Sequence, residues 1–229
     1  MKFFNRFKNT ASSWNNRGIE LEQQKKYEEA LDAFDKALQL DPEHSNALFN
    51  KGVVFHVIDK YQDALECYDK ALELESEYAE AWFNKGSIFN ELKRFQDALK
   101  CYDNVLKLEP EHVDAWSNKG SVLSDLERFQ DALKCYDKVV QLDPESVGSF
   151  VNKGNVLYAL KRYQDALKSY DKALEIDPKS SPAWYAKGHS LEKLERNEEA
   201  SECYKKAFKD NLEFENFVKA KGDDIYIEK

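Results

Sequence analysis

The sequence predicts an all-α fold, a solenoid of six stacked helix–turn–helix repeats, and three observations predict it. Six of the eight glycines, Gly18, Gly52, Gly86, Gly120, Gly154 and Gly188, stand 34 residues apart without one insertion. Within each period the apolar residues fall into two stripes at helical spacing, one at places 4, 8, 11 and 14 and the other at places 17, 20, 21, 24, 27 and 28. Between periods stands an acidic residue followed by proline at Pro42, Pro110, Pro144 and Pro178. Proline lacks an N–H and disfavours helix in its predecessor, so it ends the second helix.

Setting each glycine at the eighth place gives repeats 11–44, 45–78, 79–112, 113–146, 147–180 and 181–214, with 10 residues before them and 15 after. Residues 1–10 read as an N-terminal arm or cap whose Phe3, Phe4 and Phe7 cover the first repeat. With Lys2, Arg6 and Lys8 as its only cations, this segment is too short to hold a membrane firmly. In each first helix, place 4 carries a large apolar residue: Trp14, Leu48, Trp82, Trp116, Phe150 and Trp184. The glycine column lets the second helix approach closely. In the second helix, place 20 is always alanine and place 24 always aromatic, namely Phe34, Tyr68, Tyr102, Tyr136, Tyr170 and Tyr204. Acidic pairs such as Glu28-Glu29 and Glu198-Glu199 complement the positive end of that helix. Ser181-Pro182 reads as an N-cap and first helical residue. One repeat cannot bury both stripes alone, so neighbours must stack. Residues 215–229 read as a capping helix and tail. Phe214, Phe217 and Val218 cover the last repeat, and Ile225, Tyr226 and Ile227 follow in a frayed or extended end.

Residues 82–110, WFNKGSIFNELKRFQDALKCYDNVLKLEP, resemble a tetratricopeptide repeat in their framework of Trp, Gly, aromatic, Ala, aromatic and Pro. The likeness extends over residues 11–214. It implies antiparallel helix pairs wound into a right-handed superhelix, with the first helices lining a concave groove. It further implies a scaffold for protein or peptide partners bound in that groove.

Composition narrows the function classes. The chain has 229 residues and a formal charge of −9, which disfavours nucleic-acid and anionic-membrane partners. No run approaches the ~18 apolar residues of a membrane span. The start, MKFFNRFKNT, has neither an apolar h-region nor a cleavage site, so a cytoplasmic protein is expected. Cys67, Cys101, Cys135 and Cys203 all occupy place 23. Equivalent places in stacked repeats lie roughly 10 Å apart, given helix packing distances. That is beyond disulfide reach, so these are packing residues. His44 and His112 fall in inter-repeat turns, and His56 and His189 on first helices of different repeats. No nucleophile–base pair, metal-ligand spacing or phosphate-binding glycine loop is specified. No catalytic residue, metal or cofactor is expected, and the chain is read as a non-enzyme.

The sharpest signal lies on the first helices. Place 6 reads Asn16, Asn50, Asn84, Asn118 and Asn152, then Ala186. Asparagine is a middling helix former, and its amide offers two donors and an acceptor suited to the backbone of an extended peptide. The column resembles the asparagine ladder in the repeat domain of O-GlcNAc transferases. By the family resemblance places 2, 5, 6, 9, 12 and 13 face the groove, which puts Phe49, Phe83 and Tyr185 beside the ladder. The cationic clamp with which co-chaperone repeat domains grip a C-terminal carboxylate cannot be built here. Place 5 is Asn15, Phe49, Phe83, Ser117, Val151 and Tyr185, without a lysine. Apolar patches at Phe49, Val53 and Val57 and at Val151, Tyr158 and Tyr185 flank the acids Glu80, Glu91, Asp114 and Asp125. An extended ligand with apolar ends and a neutral or basic middle fits that profile. Lysines at place 7 read as solvated or paired with nearby acids. A second reading makes the chain a self-association module that forms a homo-oligomer through its solenoid ends or convex face. In that reading the asparagines are structural, copied as repeats duplicated.

Overall fold

The computed structural model describes residues 9–209. The expected covers at Phe3, Phe4 and Phe7 and at Phe214, Phe217 and Val218, and the tail at Ile225, Tyr226 and Ile227, lie outside the described residues. The described residues form twelve α-helices, one pair to each period. The first helices are α1 (Ala11–Gln23), α3 (Ser45–Val57), α5 (Ala79–Glu91), α7 (Val113–Asp125), α9 (Val147–Ala159) and α11 (Ser181–Glu192). The second helices are α2 (Tyr27–Leu40), α4 (Tyr61–Leu74), α6 (Phe95–Leu108), α8 (Phe129–Leu142), α10 (Tyr163–Ile176) and α12 (Asn197–Phe208).

The chain divides into two compact units, one ending at Ala115 and one beginning at Trp116. In the first unit α1 packs on α2, α3 on α4 and α5 on α6, and α2 and α4 bridge to the next pair. Its first helices α1, α3 and α5 lie side by side. In the second unit α9 packs on α10 and α11 on α12, with α8 and α10 bridging onward and α9 beside α11.

Each first helix stops in the same way. Lys25, Asp59, Lys93, Glu127, Lys161 and Glu195, all at place 15, adopt left-handed φ between 56° and 60°. The next amide then closes a six-to-one hydrogen bond, Lys26 N to Leu21 O and Arg162 N to Leu157 O, both at 2.9 Å. The second helices α2, α4, α6, α8 and α10 end at place 30, before residues such as the extended Asp41 and Asp177, and α12 ends two places earlier, at Phe208. Helix α4 ends at Leu74, in register with the others, although Ser76 replaces the proline. The packing of the next pair therefore enforces the stop together with proline. The cap of α11 sits one residue earlier than expected: Ser180 Oγ accepts from Ala183 N at 3.4 Å, and Ser181 is already helical. Two turn histidines also act as caps. His44 Nδ1 accepts from Ala47 N and His112 Nδ1 from Ala115 N, each at 3.2 Å.

The core is the meeting of the glycine, alanine and aromatic columns. Ala30, Ala64, Ala98, Ala132 and Ala166 are fully buried, as are Phe34, Tyr68 and Tyr102. A Cβ on Gly154 would fall 2.4 Å from Tyr170 Cε1, and one on Gly18 would fall 2.4 Å from Phe34 Cε1. The rings occupy the space that glycine leaves. The four cysteines are buried beside them. Burial pushes the thiol of Cys67 up to about 11 and that of Cys101 up to about 12, which makes them packing groups rather than nucleophiles. The place-7 lysines are paired. Lys51 meets Asp35 at 2.5 Å, Lys153 meets Asp137 at 2.7 Å, Lys187 meets Asp171 at 2.6 Å, and Lys85 meets Asp69. Each pair ties a first helix to the second helix of the preceding repeat.

Candidate functional site

Side chains of the first helices form the candidate face. Asn50, Asn84, Asn118 and Asn152 are half-buried, so each keeps part of its surface in solvent, and Asn16 is exposed. The buried asparagine of the first repeat is instead its neighbour, Asn15. Asn50 Nδ2 donates to Asn15 Oδ1 at 3.0 Å, so this rung of the asparagine column also joins two repeats.

The place-5 aromatics stand beside these amides and pack inward at one edge. The Phe49 ring lies 4.9 Å from the ring of Tyr78 and 5.8 Å from that of Tyr68. Phe83 stacks on His112 at 5.1 Å and 22° and tilts against Tyr102 at 6.0 Å. Tyr185 meets His189 edge-on at 4.5 Å and Tyr204 at 5.7 Å. All three rings are half-buried. They are braced by the core aromatic of their own repeat and still present a surface to solvent, as an anchoring aromatic should.

Toward the turn end of α3 and α5, His56 Nε2 lies 3.1 Å from Glu91 Oε1, and Tyr61 Oη donates to Asp59 Oδ1 at 3.0 Å. Hydrogen bonding to Glu91 and then to Asp59 pushes the Tyr61 phenol up to about 12, so it remains a neutral donor. In the second unit, Tyr170 Oη donates to Asn155 Oδ1 at 2.9 Å. Next to this pair a recess of about 250 Å³ opens between α7, α8 and α9. Its polar lining is Ser121, Ser124, Tyr136, Asn152 and Asn155, and its apolar walls are Phe129 and Val156. Only Asn152 of these belongs to the asparagine column. Place 9 is Ile19, Val53, Ser87, Ser121, Asn155 and His189, and this variation at an otherwise repetitive position is the signal that would have found the recess.

Among the described residues no group of three or more His, Cys, Asp or Glu gathers as metal ligands would, and no helix is long and apolar enough to cross a membrane.

Models of the tetratricopeptide repeat match residues 11–44, 45–78 and 79–112, and further models of the same repeat match 118–181 and 157–221. Among solved structures, the chain is similar to YrrB, described as a TPR protein with an unusual peptide-binding site. The two are 27% identical over 77% of this chain and 91% of that one, with a TM-score of 0.69. It is also similar to the pilF protein of Pseudomonas aeruginosa, at 22% identity, covering 92% of this chain and 97% of that one, with a TM-score of 0.72. MamA of Desulfovibrio magneticus RS-1 aligns at 21% identity over 73% of this chain and 95% of its own, with a TM-score of 0.69. These last two likenesses show the fold alone. No curated protein matches the chain.

Proposed function

The chain belongs to the tetratricopeptide repeat family, and on that premise we propose that it is a non-catalytic scaffold holding an extended protein segment along the groove lined by its first helices. The observation that carries this reading is the column of half-buried asparagines, Asn50 and Asn84 in one unit and Asn118 and Asn152 in the other. Each amide offers two donors and an acceptor that can pair with an N–H or C=O of an extended backbone. Each such bond contributes about 1 kcal/mol net, so several are needed before binding is measurable. Phe49, Phe83 and Tyr185 supply apolar contact beside them. Net negative charge favours a neutral or basic segment over an acidic one. YrrB, 27% identical and described as having an unusual peptide-binding site, supports the peptide class of ligand.

The test is an unbiased peptide-library selection on the wild type and on Asn84→Ala/Asn118→Ala/Asn152→Ala, with thermal unfolding of both proteins run alongside. Enriched peptides that lose binding to a normally melting variant support the reading. If the wild type enriches no peptide, or the variant retains them all, the reading fails. A mass that grows with concentration would then favour self-association.

A further inference from the structure

The recess of the second unit differs from its counterpart in the first in ways that bear on specificity. At the places of Ser121 and Ser124, the second repeat carries Val53 and His56. The core tyrosine of that repeat, Tyr68, has a buried hydroxyl with no hydrogen-bond partner. In the fourth repeat the core tyrosine, Tyr136, instead forms the floor of an open polar recess of about 250 Å³.

The hydrogen bonds already made inside the recess fix what remains for a ligand. Asn155 Oδ1 is taken by Tyr170 Oη at 2.9 Å, which leaves the Asn155 amide nitrogen as a donor. Ser124 Oγ spends its proton on Gly120 O at 2.9 Å and also meets the Tyr136 hydroxyl, which leaves it one lone pair as an acceptor. Burial pushes the Tyr136 phenol up to about 12, so the floor is neutral at physiological pH. Neither a cation nor a carboxylate lines the recess. A charged group entering it would lose hydration without gaining a counter-charge. A purely apolar group would cover the half-buried Ser124 acceptor without pairing it.

We propose that this recess is a specificity subsite for one uncharged carboxamide side chain, glutamine or asparagine, of the bound segment. The inference rests on the groove reading above and deepens it. A carboxamide carries an acceptor edge and a donor edge side by side. Its oxygen accepts from Asn155 Nδ2, its nitrogen donates to Ser124 Oγ, and its methylene stem lies against Phe129 and Val156. Sites built to pair a polar group reject isosteres that lack it more strongly than apolar pockets reject a missing methylene.

Two arms test it. In the first, the ¹⁵N-labelled full chain is titrated with the N-acetyl N-methylamides of glutamine, glutamate and leucine, so that only the glutamine probe carries a primary carboxamide, and followed by amide chemical shifts. The glutamine probe is expected to shift Ser121, Ser124 and Asn155, and to bind about tenfold more tightly than the other two. The preference should vanish in Ser124→Ala and in Asn155→Leu. Ser124 donates only to backbone in the structure, so its variant remains a readout should the loss of the Tyr170 partner unfold the other. In the second arm, library-selected peptides are expected to carry glutamine or asparagine at one fixed position, a preference relaxed in Ser124→Ala while overall binding persists. Equal shifts from all three probes, shifts confined to other residues, or enriched peptides with no carboxamide position overturn the subsite. If no peptide enriches while the glutamine probe still occupies the recess, the groove reading fails and the subsite stands.

Discussion

Asn50 donates its side-chain amide to the Oδ1 of Asn15 at 3.0 Å, joining place 6 of the second repeat to place 5 of the first. The column that reads as a ligand-binding ladder therefore has, at its second member, a rung occupied by the protein itself. The two roles separate by position. Asn50 should matter to stability, and the asparagines farther along to binding.

Alanine at either Asn50 or Asn15 is expected to cost about 1 kcal/mol, and the double variant little more than either single, because both remove the same bond. Asn84→Ala should change stability by less than about 0.5 kcal/mol, since alanine is also the better helix former. Urea unfolding of the four variants checks this. Equal costs at Asn50 and Asn84 would contradict the separation.

Two core tyrosines give a matched pair. The Tyr68 hydroxyl is buried without a partner, so Tyr68→Phe should leave stability unchanged or raise it by up to about 1 kcal/mol. Tyr170 Oη donates to Asn155 at 2.9 Å, and Tyr170→Phe should cost about 1 kcal/mol. Denaturant midpoints of the two variants, opposite in sign or nearly so, are the readout.

Gly148 and Gly154 lie on the same helix, α9, and differ in their surroundings. No atom lies within 4 Å of where a Gly148 Cβ would stand, so Gly148→Ala should stabilise α9 by up to about 1 kcal/mol. Gly154→Ala forces a methyl to 2.4 Å from Tyr170 Cε1 and should cost about 1–3 kcal/mol through displacement of the buried ring. Thermal unfolding separates them by the direction of the shift.

The left-handed residues that end the first helices are a reserve of stability. Lys161 holds φ at 60° without being glycine. Relief of the Cβ penalty, offset by the greater freedom of glycine when unfolded, gives Lys161→Gly a net gain of about 0.5–1 kcal/mol. A lower melting temperature in that variant would mean the lysine side chain contributes contacts that outweigh its backbone.

Much of the fold was legible because the repeat multiplies each weak signal. One glycine says little, but six at one spacing facing six aromatic rings specify a close helix pair. The place-7 lysines were legible only as solvated or paired, because i to i−16 partners such as Asp171 for Lys187 appear once the repeats are stacked. The left-handed turns were not legible, since the Lys and Glu that fill five of the six places carry no preference for positive φ. The cap of α11 was displaced by one residue because Ser180 and Ser181 are chemically equivalent candidates and only backbone geometry selects Ser180. At the candidate site, the asparagine column was visible and its inner partner was not. Asn15 and Asn16 are adjacent, and it is Asn15 that the helix rotation buries. The recess escaped because its residues come from different places of two repeats.

The proposal for Asn84, Asn118 and Asn152 is that they bind a ligand rather than hold the scaffold. Its most direct test is a single protein, Asn84→Ala/Asn152→Ala, measured for affinity toward a library-selected peptide and for its unfolding midpoint. The account predicts affinity at least about tenfold weaker, from the loss of two backbone-pairing amides, with an unchanged midpoint. Unchanged affinity together with a lowered midpoint would contradict it and return the asparagines to the scaffold.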